Sequence, residues 1–180
     1  MNTTRDIHDI ETDIARYYNV RQNIVVPNVS WGFFKTHEAD MLILSKAGYL
    51  TEIEIKRSWS DFVQDFKKTT NHYEGKVDKF YYCVPESIYE KVIDYLENKV
   101  DWSKYKFDYS PTGKYNALGR LKIPCGVMTY SDTGNLNIRN SAPIIQSFFH
   151  KDHNEYKLFI EEQLALARLG TLRYWKDKLK

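Results

Sequence analysis

The sequence predicts an α/β fold, a central mixed β-sheet flanked by helices. Three observations carry that expectation. Residues 37–44 and 50–56 are apolar runs on either side of a short turn containing Gly48, and each carries acidic residues at alternating positions. Residues 78–84 (Asp-Lys-Phe-Tyr-Tyr-Cys-Val) are almost wholly apolar, as in a strand covered on both faces. Segments with apolar residues at helical spacing alternate with these strands. The 180 residues suffice for one ordinary domain with a real core, and no repeat or low-complexity linker divides them. A single domain over residues 1–180 is therefore expected, closing with a C-terminal helix and basic tail over about residues 154–180.

Taken in order, residues 6–18 form an amphipathic helix, with Ile7, Ile10 and Ile14 on one stripe and Glu11 beside it. Pro27 and Asn28 break the chain, and residues 29–34 form a short aromatic strand. The two acidic strands follow. Ser58-Trp59-Ser60-Asp61 is a capping-box-like start to a second helix reaching to about residue 73. On that helix Asp61, Asp65, Lys68 and His72 recur at steps of four, three and four, forming one polar stripe. A third helix spans about residues 88–98. Residues 123–130 are a strand that pairs back through the turn 131–135 with residues 136–139. The last helix runs over about 154–169, where Gly170 interrupts.

Composition narrows the function classes. Hydrophobic residues make up 42% and charged residues 28%, a soluble globular balance. No apolar run reaches the roughly 20 residues needed to span a bilayer, and the polar start is no secretory signal, so a cytoplasmic protein without a membrane partner is expected. The formal net charge of +2 does not by itself announce a nucleic-acid binder. Cys83 and Cys125 fit no ligand spacing and read as buried thiols. Residues 102–120 interleave aromatic and basic side chains. They suit either a loop tucked over the sheet or a base-stacking surface. After Gly170, Arg173, Lys176, Lys178 and Lys180 stand against one acid, Asp177: either a solvated tail or one that contacts phosphate.

The candidate site lies in the paired acidic strands. Side chains alternate between the faces of a strand, so Glu38 and Asp40 share a face, as do Glu52, Glu54 and Lys56. Residues 54 and 56 lie about 6.5 Å apart on one face. Carboxylates on otherwise apolar strands are costly unless they bind something. Two carboxylates suit Mg²⁺, which takes one or two and keeps several waters. A lysine in that field can orient a nucleophile or stabilise phosphate charge. Glu38 and Glu52 are expected at the rim. Asp61 reads first as a cap, and Asp65 and Lys68 either extend the site or pair with each other.

Asp40, a 13-residue gap and then Glu54-Ile55-Lys56 resembles the PD-(D/E)xK, or restriction-endonuclease-like, nuclease superfamily. The closest likeness is to MmcB-type DNA-repair proteins. It rests on Glu54-Ile55-Lys56 followed by Ser58, Asp61-Phe62, Asp65 and Lys68, then 78–82 and Val84-Pro85, with Pro124–Val127 and Ala142-Pro143 resembling the closing hairpin. The resemblance covers about residues 27–143. It implies a restriction-endonuclease-like core of four mixed strands and a Mg²⁺-dependent nuclease, with Mn²⁺ able to substitute. DNA is the expected partner rather than RNA, in repair or processing of mobile DNA. Asp40 and Glu54 would be metal ligands and Lys56 the catalytic lysine, with Glu11, the best-placed match to a further glutamate on the first helix, helping to hold the metal directly or through water. Asp61, Asp65 and Lys68 would be supporting or DNA-contacting residues. The sequence departs from the pattern where Glu38-Ala39 replaces the proline before the aspartate, and where Glu52 adds an acid. The alternative is a non-cleaving nucleic-acid-binding module on the same fold. Oligomeric state is open, a homodimer included.

Overall fold

The structure is a computed structural model, and it describes residues 5–29, 33–34, 37–67, 76–102, 123–142 and 157–179, the side chain of residue 177 excepted. Calls on Lys68, His72, most of the 102–120 segment and residues 143–156 fall outside the described residues.

Among the described residues, six strands form one mixed sheet whose spatial order follows the sequence: β1 (Ile24–Val29), β2 (Ala39–Leu44), β3 (Leu50–Ile55), β4 (Lys79–Pro85), β5 (Gly126–Tyr130) and β6 (Leu136–Asn140). That is two strands more than the four-stranded core implied by the resemblance. β1, β2 and β3 pair antiparallel, β3–β4 and β4–β5 pair parallel, and β5–β6 is again antiparallel. Parallel neighbours need a crossover connection. α2 (Trp59–Asp65) lies in the one from β3 to β4, and α3 (Tyr89–Asn98), entered through a 3-10 turn at Glu86–Ile88, in the one from β4 to β5. α1 (Ile7–Tyr17) precedes the sheet and α4 (Ile160–Lys178) follows it.

The strands' alternation sorts two cores. Leu42, Leu44, Leu50, Phe80, Tyr82 and Val84 gather with Phe62 of α2, Val92 and Leu96 of α3, and Leu166 of α4. Met41, Ile43, Ile53, Ile55, Tyr81 and Cys83 gather with Ile10 and Ile14 of α1. Both cysteines are free and buried, as expected. Among the described residues, no helix is long and apolar enough to cross a membrane.

Three boundaries differ from expectation, the first and the last of them because of packing. The first strand is Ile24–Val29, earlier than the expected 29–34 (of which residues 30–32 lie outside the described residues), and it contains Pro27 opposite Met41. Proline lacks a donor for the ladder, and it is tolerated here because β1 is an edge strand. Phe33 and Phe34 lie after the strand, buried in the core. The second helix ends at Asp65. The last helix does not break at Gly170 but continues to Lys178. A Cβ at Gly170 would come within 3.4 Å of the Val26 side chain, at 3.2 Å. This glycine serves close approach of α4 to β1, and tertiary packing outweighs its poor helix propensity.

Candidate functional site

The β2–β3 ladder runs from Leu44↔Leu50 to Met41↔Ile53, and beyond that pair the two strands part. β3 stays with β4: the Ile55↔Cys83 pairing holds, and the Lys56 amide donates to the Cys83 carbonyl at 2.9 Å. The sheet therefore forks, with Asp40 on one tine and Glu54 on the other. Backbone donors exposed by the fork must find acceptors. The Ile55 amide donates to Asp40 Oδ2 at 2.8 Å, and the Asp40 amide donates to Glu54 Oε1 at 3.4 Å. The two acids thus substitute for the missing ladder, which fixes their side chains in the fork.

Lys56 completes the group. Its Nζ donates to Glu54 Oε2 at 2.9 Å and to Asp65 Oδ1 at 3.0 Å. The three residues are buried, with Lys56 only 4% exposed. Burial alone would lower the lysine pKa, but the Glu54 and Asp65 carboxylates outweigh it and hold the ammonium above the ordinary lysine range. Lys56 is accordingly a permanent cation at neutral pH. The Tyr82 hydroxyl donates to Asp65 Oδ2 at 3.1 Å, so Asp65 is braced from β4 while it grips Lys56 from α2.

The structure sorts the other sequence candidates. Asp61 is a cap: its amide donates to the Ser58 hydroxyl at 3.2 Å while its carboxylate accepts from the Arg57 amide at 2.9 Å. Glu38 is exposed, as expected. Glu52 is not a rim residue but fully buried, its Oε1 3.0 Å from His37 Nε2, with the His37 ring stacked on Phe34 at 4.5 Å. It is buried because β3 is an interior strand and the side chains of Phe33, Phe34 and His37 lie over that face.

Glu11 lies on α1, its carboxylate 3.0 Å from His8 Nδ1 and accepting from the Asn28 side-chain Nδ2 at 2.9 Å. Asn28 sits across from Asp40, between the pairs Pro27↔Met41 and Val29↔Ala39, and has a left-handed backbone (φ 52°). Asparagine tolerates that conformation better than most residues. Glu11 therefore approaches the fork through Asn28 and does not join Asp40 and Glu54 in one group. Among the described residues, no three His, Cys, Asp or Glu side chains gather in a metal-binding arrangement. The Asp40–Glu54 donor set is still the one Mg²⁺ favours, all oxygen and two carboxylates, with water completing the shell.

Sequence reasoning missed three participants. Tyr82 was hidden in an apolar run, although as Glu54's register partner it stands beside the site. Asn28 read only as a chain break. Arg173, assigned to the basic tail, donates to the Asn28 carbonyl at 2.7 Å. No local pattern marks any of them, because each acquires its place from a neighbouring strand.

No family model matches the chain, and no curated protein matches it. Among solved structures, it is similar to the SPO1766 protein of unknown function from Silicibacter pomeroyi, with a TM-score of 0.53 and 16% identity over 98% of this chain and 89% of that one. At that identity the likeness shows the fold alone.

Proposed function

We propose that the chain is a metal-dependent nuclease of the PD-(D/E)xK (restriction-endonuclease-like) superfamily, hydrolysing phosphodiester bonds in DNA during repair or mobile-DNA processing. One observation carries the reading: Asp40 and Glu54 meet at a strand fork, with the Lys56 ammonium 2.9 Å from Glu54. Asp40 and Glu54 are the residues that would hold Mg²⁺. Such an ion, when bound, polarises a phosphoryl oxygen and lowers the pKa of a bound water. The protein's own part is positional and electrostatic. The backbone amides of Asp40 and Ile55 fix the carboxylates before any substrate arrives. Lys56, its ammonium donating to the Glu54 and Asp65 carboxylates, orients the attacking water and offsets charge on the phosphate. Asp65, braced by Tyr82, sets where that ammonium sits.

The test is to incubate purified protein with single-stranded, duplex and branched DNA, with Mg²⁺ or Mn²⁺. Cleavage is expected from wild type and a loss of about 10²–10³-fold from Lys56→Ala; Asp40→Asn should abolish it. Cleavage undiminished in both variants would come from a contaminant and sink the proposal. Salt-sensitive DNA binding with no cleavage by wild type would instead establish the non-cleaving module.

A further inference from the structure

α4 crosses the sheet from one end to the other. Just before it, the Leu158 amide donates at 2.9 Å to the Gly48 carbonyl in the β2–β3 turn. Midway, Gly170 lies against Val26. Then Arg173 donates to the carbonyl of Asn28, the residue across from Asp40. Residues 174 and 175 therefore stand about level with Asn28, at the end of the sheet where the fork opens. From Arg173 to Lys178 the helix advances about 7.5 Å.

This last stretch of the helix carries two large aromatic side chains more than half in solvent, Tyr174 (57% exposed) and Trp175 (53%). Their ring centroids are 5.4 Å apart, edge to face. Lys178 Nζ lies 5.9 Å from the Tyr174 centroid, and Lys176 is exposed beside them. Packing does not explain the rings, because Leu166 and Leu169 make the contacts of α4 with the core. Lysines in a last turn offset the helix dipole, which accounts for the cations but not for an exposed indole and phenol.

We propose that the C-terminal end of α4 is a binding platform for single-stranded nucleic acid, with bases stacking on Trp175 and Tyr174 and phosphates met by Lys176 and Lys178. Exposed ring faces suit unstacked bases, whereas a duplex offers only base edges in its grooves. The inference rests on the nuclease reading in one respect: the platform delivers the strand to the Asp40–Glu54–Lys56 fork.

The experiment measures fluorescence anisotropy of a labelled oligothymidylate in EDTA, so that binding is read without cleavage. Trp175→Ala, whose side chain is exposed, should fold as wild type by circular dichroism and bind about 10-fold more weakly. The double variant Lys176→Gln/Lys178→Gln should flatten the dependence of log affinity on log salt by about 1.4. Unchanged affinity in a folded Trp175→Ala overturns the platform, even where cleavage that requires Asp40 upholds the nuclease. Affinity lost in Trp175→Ala by a protein that cuts nothing upholds the platform and removes the nuclease. A dimer seen in sedimentation that Trp175→Ala dissociates assigns this face to a second copy and overturns the proposal.

Discussion

At the scale of single residues, the Lys56 ammonium is the most consequential group. It is buried between two carboxylates, so removing it strands like charges in a dry environment. Breaking a buried pair by deleting one partner typically costs about 3–5 kcal/mol, far more than a surface pair contributes. Lys56→Met should lower unfolding stability in urea by about that amount, and Lys56→Met combined with Glu54→Gln should recover part of it. The pH dependence has a definite sign. The folded pKa of Lys56 is raised above its ordinary value of 10.5. Its contribution is therefore complete below that pH and is lost as pH rises through the higher folded value. The stability gap between wild type and Lys56→Met should hold steady from pH 7 to 9 and narrow in alkali; a gap that instead opened with rising pH would contradict the pairing. Spacing, the family resemblance and the helix that follows single out Asp40 and Glu54 in the sequence. What spacing could not supply was their engagement with each other's backbone amides.

At the scale of elements, the strands were the more legible half. Apolar runs and turn residues located β2 through β6 to within a few residues, since period-two patterning records burial directly. β1 was misplaced because Pro27 reads locally as a breaker, and only its edge position makes it acceptable. α4 was cut short at Gly170 for the mirror reason: a helix-weakening residue is required where the helix lies on Val26. A second glycine shows how tightly the sheet is packed. Gly126 pairs with Tyr81 across β4–β5, and a Cβ there would run into the Tyr81 ring and the Ala142 amide. Gly126→Ala should accordingly cost about 1–3 kcal/mol by overpacking, measured by thermal or urea unfolding. A neutral outcome would mean that the ring moves aside freely.

At the scale of the whole molecule, the sheet divides labour between its ends. The β2–β3 turn receives the start of α4 through Gly48, while the forked end gathers Asp40, Glu54, Lys56, Asn28 and Arg173. If the fork holds a divalent ion, folding and ion binding are linked. At an ion concentration about 100 times its Kd, wild type should gain about 2.7 kcal/mol in unfolding stability. Asp40→Asn should lose that gain while keeping its own fold. Thermal unfolding with and without Mn²⁺ reads this apart from any cleavage. A wild-type curve that Mn²⁺ leaves unmoved would count against Asp40 and Glu54 as ligands.

The sequence by itself determined the α/β class, the strand-borne acids and the cap at Ser58 and Asp61, because alternation, helical spacing and capping act over a few residues. It also placed Asp65 on a stripe that could reach the site. Only the tertiary structure decided which acids meet Lys56, that Glu52 is buried against His37, and that Glu11 is held by Asn28. It alone carried the end of α4 to the forked edge. These outcomes depend on where strands part and which helix crosses which strand. They are relations between residues distant in sequence, and no local periodicity encodes them.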